Sequence, residues 1–195
     1  MSVIRAFIAL DIPREIQDCL ETISDQLRVE FGDVPIRWVD SRNIHLTLKF
    51  LGDVSLNNID VLKESIKVKA MQCKPLVFSV GGVGAYPKVR NPRVIWVGVE
   101  APTELIDLQR GIDAQMTRIG YAPDRRAFSP HLTLGRVSRN AKSKEIRKIG
   151  DVLLNSKIGF LGVGRVIAVH LYRSDLKPKG AVYTKLFSAK FEGDE

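Results

Sequence analysis

The chain has 195 residues, 45% hydrophobic and 27% charged, which suits one sizeable domain or two small lobes around a buried core. No apolar run reaches the roughly 18 residues a membrane helix needs, and "MSVIRAFIALDIPRE" lacks the order of regions of a signal peptide. Thirty Lys and Arg against 22 Asp and Glu leave a net charge of +8, a balance that favours a polyanionic partner such as RNA without identifying one.

In chain order, "VIRAFIALDI" (3–12) alternates as a strand, and 13–31 opens with proline and repeats apolar residues at helical spacing. "IRWV" (36–39) and "IHLTLKFL" (44–51) read as strands joined by the turn "DSRN", and 55–72 reads as an amphipathic helix. "LVFSVGGVGAYP" (76–87) is a strand running into a glycine-rich turn. The second half has a strand at 93–100 and a helix at 103–120, with Thr103 as its cap and Gly120 as its stop. A strand at 131–137, a helix at 142–156 and strands in 164–176 and 182–191 complete it. Cys19 and Cys73 form no CxxC and read as buried, unpaired thiols in a reduced, cytoplasmic setting.

Each half thus runs strand, helix, strand, helix, strand, and the middle strand of each opens with the same word, HLTL. His45 lies 42 positions after Val3 and His131 lies 37 after Val94, so the two copies occupy matching places in a duplicated plan. The expected arrangement is one bilobal domain, 1–195, with approximate halves 1–87 and 93–195. Its seam is the turn-rich 82–92, and exchange of terminal strands between the lobes is left open.

Side chains alternate along a strand, so His45 and Thr47 share one face while Leu46 and Leu48 anchor the other. His131 and Thr133, over Leu132 and Leu134, repeat this. Brought together, two imidazoles and two hydroxyls suit a phosphodiester. One histidine takes a proton from the attacking oxygen and the other returns one to the leaving oxygen, while the threonines donate to non-bridging oxygens. The histidine reference pKa near 6.5 allows one ring neutral and the other protonated near neutral pH. The chain has three histidines. The third, His170, has no threonine two places on and reads as a sheet residue. Without HExxH, HxH or a flanking carboxylate cluster, no metal site is expected.

The paired HxTx words resemble those of the 2H phosphoesterase superfamily. With "FIALDIP", "RWVDSRNIHLTLKFLGD", "FSPHLTLGR" and "LYRSDLKPKGAVYTKL", they resemble the RNA 2',3'-cyclic phosphodiesterases, also called 2'-5' RNA ligases, over roughly 3–190. The resemblance implies an α+β fold of pseudo-two-fold character, with antiparallel sheets facing a central cleft and helices outside. It also implies hydrolysis of RNA 2',3'-cyclic phosphate ends, tRNA fragments among them, to 2'-phosphomonoesters by a monomer without cofactor. His45 matches the proton donor, His131 the proton acceptor, and Thr47 and Thr133 the phosphate-binding threonines. Two other readings stay open: 2'-5' ligation by the same groups in reverse, and a non-catalytic RNA-binding module.

Four neighbours are weighed as well, three of them by parity. Lys49, four residues after His45, keeps the cleft side and would add positive charge to substrate binding. Arg136, five after His131, would point away unless a bulge at Gly135 restores it to a phosphate. Phe50, five after His45, is expected in the core. Trp38 reads as core, with base stacking the alternative.

Overall fold

The computed structural model describes residues 2–177 and 180–193. Pro178 and Lys179 of the "LYRSDLKPKGAVYTKL" stretch lie outside them. The alternation of "VIRAFIALD" forms β1 (Val3–Asp11), which sends Ala6, Ile8 and Leu10 into the main core and leaves Phe7 and Ala9 on its other face. Helix α1 (Arg14–Phe31) buries Ile16, Leu20, Ile23, Leu27 and Phe31, one stripe at helical spacing. A short β2 (Ile36–Trp38) leads to a 3₁₀ turn at Ser41–Asn43, whose N-terminus is capped by the Asp40 side chain accepting from the Arg42 N–H. Then come β3 (His45–Ser55), α2 (Ile59–Ala70), β4 (Leu76–Lys88) and β5 (Asn91–Glu100). Helix α3 (Thr103–Arg118), β6 (His131–Val137), α4 (Ser143–Asn155), β7 (Phe160–Val166), β8 (Ala168–Lys177) and β9 (Gly180–Lys190) complete the chain.

The strands form two antiparallel sheets, ordered β3-β1-β8-β9 and β2-β6-β5-β4-β7. Helices α2 and α3 pack behind the first and α1 and α4 behind the second, so the helices lie outside and the uncovered faces of the sheets line a cleft. The duplicated plan is visible as β1-α1-β3-α2-β4 against β5-α3-β6-α4-β8. Both repeats trade elements: β4 pairs with β5 of the other repeat, and β8 pairs with β1. Each sheet therefore needs both halves of the chain.

The expected elements are present with three differences. The expected seam at 82–92 is a hairpin: β4 and β5 stay paired until Lys88 faces Asn91, leaving Val89 and Arg90 as the turn. Its glycines do not end the strand, because Trp96 lies flat across Gly84, where an added Cβ would come within 2.4 Å of the ring. Thr103 does not cap α3. The Pro102 carbonyl accepts from the Leu105 and Ile106 N–H groups, making Pro102 the cap and Thr103 the first helical residue. The thiols of Cys19 and Cys73 are free, but both residues are half-buried rather than buried. No described helix is long and apolar enough to cross a membrane.

Candidate active site

Both HLTL words begin a strand, and their leucines are sealed in the core: Leu46, Leu48, Leu132 and Leu134 are all at most 2% exposed. The polar members, His45, Thr47, His131 and Thr133, are half-buried on the opposite faces. Each histidine is tethered identically. His45 Nδ1 lies 2.8 Å from the Asn43 carbonyl, and His131 Nδ1 lies 2.8 Å from the Ser129 carbonyl. A carbonyl oxygen can only accept, so each Nδ1 carries the hydrogen, and in the neutral ring Nε2 is then an acceptor.

Each strand then breaks its alternation at the fourth letter of the word. Thr47 faces Ala9 and Lys49 faces Ile8, so Leu48 is an extra residue; Thr133 faces Trp96 and Gly135 faces Ile95, so Leu134 is one too. Such a bulge leaves the extra residue's carbonyl outside the ladder. At Leu48 it accepts from Gln109 Nε2 of α3 at 3.4 Å, and at Leu134 from the Val39 N–H at 2.8 Å.

The bulges reverse the parity of the residues that immediately follow, which corrects two expectations and decides a third. Lys49 does not face the cleft. It is 2% exposed and reaches backwards to Asp113 at 2.5 Å, Asp124 at 3.0 Å and the Ala122 carbonyl at 2.7 Å. Burial alone would lower its pKa, but the two carboxylates outweigh that and hold it above its ordinary value. Phe50 is not core; its ring is 65% exposed in a groove between the sheets. Arg136, the residue equivalent to Phe50 in the second repeat, lines the same groove, and its charge acts on His45 from across the cleft. The inner residue of that bulge is necessarily small: a Cβ on Gly135 would stand 2.9 Å from Ile36 and 3.3 Å from Trp38. Trp38 itself stacks on Phe31 of α1 under the Arg28 guanidinium, and it also borders the groove.

The two histidines differ in surroundings. Phe7 stacks on the His45 ring at 4.6 Å, and Tyr183 meets it edge-on at 5.1 Å. Burial pushes the His45 imidazole below its ordinary pKa, the Arg136 charge works the same way, and Asp11 and the Asn43 carbonyl oppose them in part. His131 meets Tyr86 edge-on at 4.9 Å, and the Tyr86 hydroxyl lies 2.8 Å from Ser129 Oγ, beside the carbonyl that holds the ring.

Parity along single strands missed one cluster. Asp11, opposite His45 in the β1–β3 register, accepts from the Tyr172 hydroxyl and from Lys185 Nζ at 2.6 Å, and lies 3.4 Å from His170 Nε2. His170 is 8% exposed, with Nδ1 held 2.8 Å from Ser188 Oγ. Burial and the neighbouring Lys185 lower its pKa against the pull of Asp11. Burial works against the Asp11 carboxylate too, but hydrogen bonds from Lys185 and Tyr172 hold its pKa below the usual range. Phe7, Ala9 and Asp11 alternate in "FIALD", a signal that becomes readable once β3 is known to be the partner strand.

Size does not single out this cleft. A groove of about 720 Å³ lined by Lys69, Cys73, Glu104 and Asp107 is larger than the one of about 530 Å³ lined by Asn43, Phe50 and Arg136, and no residue of an HLTL word lines either. Among the described residues, no group of three or more His, Cys, Asp or Glu could hold a metal ion.

Known proteins are similar to this chain in sequence and fold. The LigT-like phosphoesterase family matches residues 10–96 and again 97–183, one HLTL word in each match. The RNA 2',3'-cyclic phosphodiesterase of Methanothermobacter thermautotrophicus is 34% identical over 183 residues, covering 94% of this chain and 96% of that protein. Among solved structures, TT0787 of Thermus thermophilus is similar with a TM-score of 0.81 at 26% identity, covering 98% of this chain and 100% of that one. LigT of E. coli complexed with 3'-AMP is similar with a TM-score of 0.73 at 26% identity, covering 97% of this chain and 99% of that one. With the family matched twice along its length and the duplicated fold shared throughout, the chain belongs to the LigT-like phosphoesterases of the 2H superfamily.

Proposed function

We propose that this protein hydrolyses RNA 2',3'-cyclic phosphate ends to 2'-phosphomonoesters, with His45 as general acid and His131 as general base. The carrying observation is the matched tethering of the two rings through Nδ1, which supports Nε2 as the proton-transferring atom of each. Neutral His131 Nε2 takes a proton from water as the water oxygen bonds to phosphorus. The bond from phosphorus to O3' breaks, and O3' takes the proton from His45 Nε2. Thr47 and Thr133 hydroxyls donate to the non-bridging oxygens as negative charge grows there, and Arg136 adds a guanidinium on the same side. Proton exchange with solvent then returns His45 to its acid form and His131 to its base form.

Burial opposes charge on His45 in the free protein, while the bound phosphodiester anion and Asp11 favour it. The substrate thus helps to protonate its own acid. The Methanothermobacter thermautotrophicus relative is named an RNA 2',3'-cyclic phosphodiesterase, which supports this substrate class. The test is incubation with 2',3'-cyclic AMP in excess EDTA, followed by phosphorus NMR of the product. A 2'-phosphate is expected. A 3'-phosphate would mean the leaving oxygen is misassigned, and activity restored only by a divalent metal would overturn the acid–base reading.

A further inference from the structure

The groove of about 530 Å³ whose lining residues Asn43 and Tyr183 touch His45 is of a size that takes a whole nucleotide, more than a cyclic phosphate alone would occupy. Its walls come from both sheets. Arg5, Phe50 and Tyr183 line one side and Arg37, Trp38 and Arg136 the other, next to Asn43, whose carbonyl tethers His45.

Three features of these walls want a ligand. Arg37 and Arg136 are directly opposite each other in the β2–β6 register, so two like charges share one face, an unfavourable pairing that an anion between them would reverse. None of the three guanidinium groups of Arg37, Arg136 and Arg5 makes a hydrogen bond or ion pair among the described residues. Asp53, opposite Arg5 across β1–β3, lies beyond ion-pair distance of it, and Asp40, the acid that lines the groove, is held by Arg42 at 2.7 Å. Finally, Phe50 offers a largely exposed ring among these guanidinium groups. A planar apolar surface interleaved with unpaired arginines is the pattern that takes a base together with its phosphate.

Chemistry sets the direction. A nucleotide ending in a 2',3'-cyclic phosphate can be extended only through its 5'-oxygen, so anything bound beyond the terminal nucleoside belongs to the 5' side of the strand. We propose that this groove is the subsite for the nucleotide preceding the cyclic end: the arginines hold the linking phosphate and Phe50 stacks a base, so the protein selects a strand over a mononucleotide. This inference rests on the phosphodiesterase reading above and names the substrate form that reading leaves open.

The experiment compares kcat/KM for 2',3'-cyclic AMP with that for the dinucleotide ApA carrying the same cyclic end, in the wild-type protein and in an Arg5→Ala, Arg37→Ala double variant of unchanged melting temperature. The wild-type protein should favour the dinucleotide by about tenfold at low salt, a preference that shrinks as salt is added. In the double variant the ratio should fall toward one, chiefly through KM for the dinucleotide. Equal losses on both substrates, or no preference in the wild-type protein, would overturn the subsite. If neither substrate turns over, the phosphodiesterase reading fails by itself. Fluorescence anisotropy with a 5'-labelled ApA cyclic phosphate then decides the groove: weaker binding to the double variant supports it, and equal binding overturns it.

Discussion

Each of the two repeats carries a His and a Thr on the strand face opposite its buried leucines, holds its imidazole by Nδ1 on a carbonyl at 2.8 Å, and has a bulge at the fourth letter. They diverge one residue later. In the first repeat the bulge turns Lys49 into the core and presents Phe50; in the second it turns Gly135 inward and presents Arg136. The first histidine is wrapped by Phe7 and Tyr183 with Asp11 nearby, and the second meets Tyr86 beside Ser129. Duplication thus supplies two matched imidazoles in different surroundings, which is what the proposed division into acid and base requires. An in-line displacement needs that asymmetry, because one ring must begin charged and the other neutral.

The largest effect should come from breaking either half. His45→Ala or His131→Ala should each lower kcat by on the order of 10²–10⁴ with the fold retained, since acid and base act in one displacement. Near-normal turnover in either folded variant would end the shared-site reading. His170→Ala, which alters a buried contact to Asp11 and Ser188, should cost far less activity.

The threonines come next. Thr47→Val and Thr133→Val keep shape and remove a donor, and each should lower kcat by about 10²-fold if the hydroxyls meet charge that develops in the transition state. A rise in KM at constant kcat would instead make them ground-state phosphate binders.

The pH profile sharpens the comparison further. As general acid, His45 supports turnover below its pKa, and activity is lost as pH rises through it. Its pKa in the free protein is lowered by burial first and by Arg136 second, so the alkaline limb of kcat/KM should fall below that of an ordinary histidine. The bound anion raises that pKa, so the alkaline limb of kcat should lie at higher pH. Asp11→Asn removes a charge that favours protonated His45 and should move the kcat/KM limb lower still. If His45→Ala leaves the alkaline limb in place, the two roles are exchanged.

The smallest effect on activity, and a clear one on stability, belongs to Lys49. Lys49→Ala strands the Asp113 and Asp124 carboxylates, which are 22% and 42% exposed. The partial exposure limits the cost to about 1–3 kcal/mol, readable by urea unfolding. Because the folded-state pKa of Lys49 is raised, this stabilisation is present at neutral pH and is lost only as strongly alkaline pH reaches that value. Turnover of 2',3'-cyclic AMP should stay within about twofold, whereas a substrate-binding Lys49 would cost activity without costing stability.

Much of this was legible along the chain, and the limits fall at particular residues. HLTL placed its leucines in the core and its polar pair on the other face, because alternation over four residues is a local property of an extended strand. Lys49 and Phe50 were misplaced because a bulge depends on what lies across the ladder and behind it, here Ile8, Ala9 and Gln109. Arg136 needed the bulge that its glycine suggested. The Asp11, His170, Tyr172 and Lys185 cluster had no local signature, since β1, β8 and β9 meet only in the sheet.

The sequence by itself determined the duplicated order of elements, the two polar faces with their apolar anchors, and the resemblance that the family match supports. Those follow from periodicity and from short words whose meaning travels with them. The tertiary structure decided which sheet each strand joined, where each strand lost its alternation, and how the two histidines differ. Sheet order and register depend on hydrogen-bond partners far away in the chain. Burial lowers the His45 pKa, and the rings packed on it are Phe7 of β1 and Tyr183 of β9, which no word containing His45 could name.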